Sequence, residues 1–127
     1  MSQTKTSALV LFAHGAREPG WAEPFRAVRD RVAASRPDLA VELAFLELMT
    51  PGLGDCVDRL AAAGHDRVTV APLFLAMGGH LKDDLPRLLE DIRGRHRNLE
   101  IAMLPPIGET PALLDAIAGW LVNAAPR

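Results

Sequence analysis

Two histidines follow apolar runs in this chain. His14 ends Ala8-Leu9-Val10-Leu11-Phe12-Ala13-His14-Gly15, and His80 ends Val68-Thr69-Val70-Ala71-Pro72-Leu73-Phe74-Leu75-Ala76-Met77-Gly78-Gly79-His80. A neutral imidazole takes up a proton near pH 7 and binds borderline divalent ions. In open parallel α/β sheets, ligands sit beyond the carboxyl ends of the strands. Two imidazoles at such ends, each beside glycine, point to metal binding or proton transfer rather than to core filling. Glu47, after Ala44-Phe45-Leu46, reaches the same edge, and two histidines with one glutamate suit a divalent metal. Each residue also has a plainer use: His14 as a strand-end hydrogen bonder, His80 as a solvated loop residue, Glu47 and Arg17 as surface charges. His65 and His96 read as structural, the latter in the basic helix end Arg93-Gly94-Arg95-His96-Arg97. Cys56 reads as a small buried thiol and Met77 as an apolar contact.

The elements that must position these groups alternate. Residues 8–13 form an apolar run of the kind buried on both sheet faces. Trp21, Phe25, Val28 and Val32 then recur at helical spacing, ending before Pro37. A second strand is expected at 40–46. Thr50-Pro51 reads as an N-cap and first helical position, opening a helix through Leu53, Val57 and Leu60 that stops at Gly64. A third strand is expected at 67–75. The next helix carries Leu85, Leu88, Leu89 and Ile92. Because Pro86 suits only a first turn, that helix is expected to start near Asp83 or Asp84, leaving His80 on the preceding loop. A fourth strand fits 99–104. Thr110-Pro111 opens a last helix with Leu113, Leu114, Ile117 and Leu121. Four β-α units with short connections predict a doubly wound, four-stranded parallel α/β sheet with helices on both faces. The 127 residues are expected to form one domain, residues 1–127.

Composition narrows the function. The net charge is −2, with no basic run and no set of stacking aromatics, so nucleic acid is not an expected partner. One cysteine excludes an intrachain disulfide and a cysteine-based zinc site. The N-terminus lacks the apolar stretch of a signal peptide, and no apolar run spans a bilayer, so a cytoplasmic protein without membrane contact is expected. There is no GxGxxG, GxxxxGK[ST] or GxSxG, which removes support for nucleotide binding and for a hydrolase nucleophile elbow. Histidine phosphatases also place His-Gly after a first strand, but with arginine before the histidine, where this chain has Ala13.

Three stretches together resemble a family. Phe12-Ala13-His14-Gly15-Ala16-Arg17-Glu18-Pro19, Ala44-Phe45-Leu46-Glu47 and Pro72-Leu73-Phe74-Leu75-Ala76-Met77-Gly78-Gly79-His80-Leu81-Lys82-Asp83-Asp84-Leu85-Pro86 are similar to the short CbiX-type sirohydrochlorin cobaltochelatases. The resemblance runs from about Ala8 to about Trp120. Ala16 stands where the family usually has serine, which removes a hydroxyl but no metal ligand. The resemblance implies ATP-independent insertion of Co2+, or in relatives Ni2+ or Fe2+, into sirohydrochlorin, with no permanently bound cofactor. It implies His14 and His80 as the metal-handling histidines, with Glu47 assisting. Arg17, Lys82 or Arg87 would pair with the carboxylate arms of the macrocycle, and Leu75, Met77, Gly78 and Gly79 would line its seat. The alternative is a non-catalytic metal or tetrapyrrole carrier on the same fold. Larger chelatases of this class resemble two such halves facing one cleft, so a homodimer is expected. Its interface would cover an apolar wall of Phe74, Leu75, Met77 and Leu81.

Overall fold

The computed structural model describes residues 6–127. Four strands, β1 (Ser7–Ala13), β2 (Ala40–Phe45), β3 (Arg67–Pro72) and β4 (Glu100–Met103), form one parallel sheet in the order β2-β1-β3-β4. Each is followed by a helix: α1 (Glu23–Ser35), α2 (Leu53–Ala62), α3 (Gly79–Arg95) and α4 (Pro111–Ala124). The chain winds outward from β1 to β2 and then crosses to β3 on the other side of β1. The winding therefore reverses between β1 and β3, and a crevice opens at their carboxyl ends.

Burial follows the pairing register. Val10 and Phe12 of β1 and Val68 and Val70 of β3 are fully buried under Leu53, Cys56, Val57 and Leu60 of α2 and Leu85, Leu89 and Ile92 of α3. On the opposite face, Leu11, Ala13, Leu43 and Phe45 pack with Ala22, Trp21 and Phe25, from α1 and the 3-10 helix Pro19–Ala22 before it. Each fully buried valine, leucine, isoleucine or phenylalanine among them contributes about 1.5–3 kcal/mol.

Two local expectations are corrected and a third holds. Thr50-Pro51 does not start α2. Its peptide is cis, the Pro51 carbonyl accepts from the Phe45 N–H at 2.9 Å, and the helix begins after Gly52. The proline sits where the chain still bonds to the end of β2. Next, α3 begins at Gly79, so His80 lies in its first turn and Pro86 well inside it. Pro86 is exposed, so water can satisfy the Lys82 carbonyl, which gains no partner from proline. Finally, Thr110-Pro111 does start α4, but α4 has no buried residue and Trp120, Leu121 and Val122 are all exposed.

Two tests belong to this core. Burial pushes the Cys56 thiol up to about 11, so at pH 8 it is expected to react with a chromogenic disulfide reagent only on unfolding. Prompt labelling of the native protein would contradict its placement. Asp58 of α2 accepts from His96 at 2.5 Å and from Arg95 at 3.1 Å at the end of α3. The bond from His96, ahead of that from Arg95, lowers the carboxyl below the ordinary carboxylate range. A carboxyl depressed by folding stabilises above its unfolded value and loses that contribution as pH falls through the folded one. The Asp58 carboxylate is nearly half exposed, so Asp58→Asn is expected to remove only about 0.2–1 kcal/mol at pH 7 and nothing at pH 2, read from denaturant midpoints. An equal loss at both pH values would deny the linkage.

Candidate functional site

His14, on the first residue past β1, is held by backbone geometry that the next residue permits. Gly15 is buried at φ +95°, in the left-handed region. A Cβ at Gly15 would lie 1.8 Å from the Glu47 carbonyl oxygen. That close approach lets the segment after β2 continue alongside β1: the Leu46 N–H donates to the Ala13 carbonyl at 2.9 Å and the Glu47 N–H to the His14 carbonyl at 3.1 Å. The Glu47 carboxylate thereby comes to 3.7 Å from His14 Nε2.

The imidazole has a defined orientation. Its Nδ1 lies 3.2 Å from the Gly15 carbonyl oxygen. A carbonyl only accepts, so this bond requires Nδ1–H and leaves the Nε2 lone pair towards Glu47 and solvent. The ring stands edge-on to Phe74, centroids 6.4 Å apart, and Phe74 in turn meets Phe12 edge-on at 5.7 Å. Phe74 is 5% exposed. It is core beneath the histidine and not part of an exposed wall, contrary to expectation; the β3–α3 loop turns it inward.

His80 reaches the same place from α3. His14, Leu46, Phe74, Ala76, Gly78, Gly79, His80, Leu81 and Asp84 line one open cavity of about 390 Å³. Gly78 and Gly79 have ordinary backbone angles, and a Cβ on either would meet nothing within 4 Å. Their lack of side chains therefore leaves open floor and is not a requirement of the turn. Asp84 was missed from the sequence. It became a neighbour of His80 because α3 starts early and places residues 80 and 84 one turn apart on one face.

The structure brings His14, Glu47, Gly78, Gly79 and His80 to this edge. Met77 and Lys82 instead line an adjacent hollow with Leu85, Pro86, Met103, Pro106 and Glu109. Leu75 stands exposed, and Arg17 is exposed on the turn beyond Gly15. Among the described residues, no three His, Cys, Asp or Glu side chains gather closely enough to hold an ion by themselves. No helix among them is long and apolar enough to cross a membrane.

Comparison with known proteins finds one family over most of the chain. The model of the CbiX family matches residues 8–123. A sirohydrochlorin cobaltochelatase of Saccharolobus solfataricus is 33% identical over 106 residues, covering 79% of this chain and 81% of its own. A sirohydrochlorin cobaltochelatase of Methanopyrus kandleri is 35% identical over 82 residues, 65% of this chain and 57% of its own. Among solved structures, a putative cobalamin biosynthesis CbiX protein of Marinobacter aquaeolei superposes with a TM-score of 0.81 at 32% identity, over 92% of this chain and 95% of its own. The sirohydrochlorin chelatase SirB of Bacillus subtilis subspecies spizizenii, solved with cobalt, shares the fold at a TM-score of 0.72 and 24% identity, over 96% of this chain and 52% of its own.

Proposed function

The chain belongs to the CbiX family, and we propose that it is a sirohydrochlorin chelatase, inserting a divalent metal ion, Co2+ in the first place, into the macrocycle without nucleotide hydrolysis. Supporting this is one observation above the others. His14 from the end of β1 and His80 from the first turn of α3 line one open cavity, and a carboxylate lies 3.7 Å from the unbonded nitrogen of His14.

Insertion must remove two pyrrole protons for each ion that enters. His14 Nε2 is the acceptor of one proton, since Nδ1 is engaged by the Gly15 carbonyl. Glu47 lies where that proton would be passed on towards solvent, which frees Nε2 to take the second. His80 presents the ion from the α3 side of the cavity. Neutral imidazole suits Co2+, Ni2+ and Fe2+ alike. Two imidazoles without a third close protein ligand fit an ion that is delivered and not stored, because the macrocycle nitrogens complete its coordination. Arg17, exposed beyond Gly15, and Lys82, exposed at the adjacent hollow, are available to carboxylate arms of the substrate. A cavity open on one side covers one face of a flat macrocycle, so we place a second copy across it, in a homodimer. The reaction is assigned to the cytoplasm.

The test is the change in absorbance of sirohydrochlorin with purified protein and Co2+ under anaerobic conditions. Metallation well above the protein-free control is the expected result. Rates no faster than the control, with tightly bound product, would make the protein a carrier instead. Initial rates with Ni2+ and Fe2+ would rank the ions.

A further inference from the structure

α3 stands between two hollows, and its first two turns divide their side chains between them. Leu85, Leu89 and Ile92 turn towards the sheet and are buried. With about 100° of rotation per residue, that stripe fixes where the other positions project. Lys82 and Pro86 fall on one flank, beside Met77, Met103 and Glu109. His80, Leu81 and Asp84 fall on the other and line the cavity that contains His14. Asp83 and Arg87 fall opposite the buried stripe and are exposed.

The carboxylate on the cavity flank has no evident structural duty. Asp84 is exposed, and among the described residues no cation pairs with it. It lies beyond the first turn of α3, where the helix dipole would favour an acid. What Asp84 does have is His80, one turn before it. Side chains four apart on a helix have Cβ atoms about 5–6 Å apart. One divalent ion bridges that span with metal–ligand bonds of about 2.0–2.2 Å. The same spacing lets two histidines on a metalloprotease helix hold one zinc. An imidazole nitrogen with a carboxylate oxygen is an ordinary ligand pair for borderline divalent ions.

We infer that Asp84 is a ligand of the incoming ion, chelating it together with His80 on the wall of the cavity before the macrocycle takes it. The hydrated ion exchanges two waters for an Asp84 oxygen and a His80 nitrogen, and no other bond changes. Two protein ligands hold the ion loosely, so the four nitrogens of the macrocycle can displace them. The Lys82 ammonium would repel the ion and attract a carboxylate arm, and it stands on the opposite flank. α3 thereby keeps capture of the ion apart from the grip on the substrate. This role rests on the chelatase reading for the destination of the ion, though not for its capture.

Two measurements on the full chain test it. Calorimetry with Co2+ alone reads capture, and initial rates at saturating sirohydrochlorin read its use. Asp84→Asn is expected to weaken Co2+ binding by about 10-fold or more and to raise the KM for Co2+ by a similar factor, with kcat and the denaturant midpoint little changed. Asp84→His, which sets a second imidazole one turn from His80, should restore binding. Asp83→Asn removes the same charge one residue away on the solvent side, and should leave both readings unchanged at physiological ionic strength. An equal effect of Asp83→Asn, or an Asp84→Asn effect that added salt abolishes, would mean that the charge acts only through its long-range field, and would overturn ligation. A lower kcat with unchanged Co2+ binding would make Asp84 a group that orients His80, and would overturn it too. So would a wild-type protein that takes up no Co2+, or one whose uptake is indifferent to Asp84→Asn. A protein that captures Co2+ through Asp84 but never metallates sirohydrochlorin would sink the chelatase reading and leave capture standing. Unimpaired metallation by Asp84→Asn at limiting Co2+ would do the reverse.

Discussion

His14→Ala is expected to slow sirohydrochlorin metallation by about 100- to 10,000-fold, the usual worth of a positioned proton acceptor, with the denaturant midpoint little changed. The side chain is half exposed and its hydrogen bond is to the adjacent residue, so its loss leaves no buried group without a partner. His80→Ala is expected to fall in the same range. There the loss should shrink as Co2+ is raised if the imidazole presents the ion, whereas the His14 loss should not, since raising the ion supplies no base. Glu47→Gln, which keeps shape and removes charge, should cost less than either. Near-normal rates in both histidine variants, measured under saturating sirohydrochlorin, would remove this edge from the mechanism.

Gly15→Ala is expected to damage both stability and rate. A left-handed backbone costs alanine about 1–2 kcal/mol. The new methyl would also collide with the Glu47 backbone, and forcing atoms into packed space costs about 1–3 kcal/mol more. Relief requires the Glu47 peptide to retreat, which breaks its bond to the His14 carbonyl and separates carboxylate from imidazole. The denaturant midpoint should fall, and kcat should fall further than Glu47→Gln alone lowers it. Ala16→Ser, one residue on at a half-buried position, should leave the midpoint unchanged and serves as the control. A Gly15→Ala protein with unchanged midpoint and rate would show that the two loops are not held by this contact.

Much of the scaffold was legible because its signals are local. The run at 8–13 is apolar on both faces and the strand expected at 67–75, which ends at Pro72, is β-branched and apolar in its first half, as central parallel strands tend to be. The four-three-four spacing of Trp21, Phe25, Val28 and Val32 announces a helix over the sheet. Since β-α units in one sheet must be parallel and wound right-handed, His14, Glu47 and the segment leading to His80 could be assigned to one edge without coordinates. Errors arose where a local preference met a tertiary demand. Thr50-Pro51 has the form of a helix start, but the Pro51 carbonyl was claimed by Phe45. Pro86 argued for a late start to α3, but an exposed proline can be carried inside a long helix whose buried side, Leu85, Leu89 and Ile92, is already held.

By itself, then, the sequence determined the order of strands and helices, the edge where the histidines emerge and the family to which the motifs belong, because hydrophobic period and chain connectivity are properties of neighbours along the chain. Only the tertiary structure decided that Gly15 holds Glu47 against His14, that Phe74 lies beneath the imidazole and not in the open, that Asp84 joins the cavity, and that α4 leaves half a sheet face bare. Each of these depends on which atoms of distant segments occupy the same few ångströms, and no periodicity along the chain encodes that.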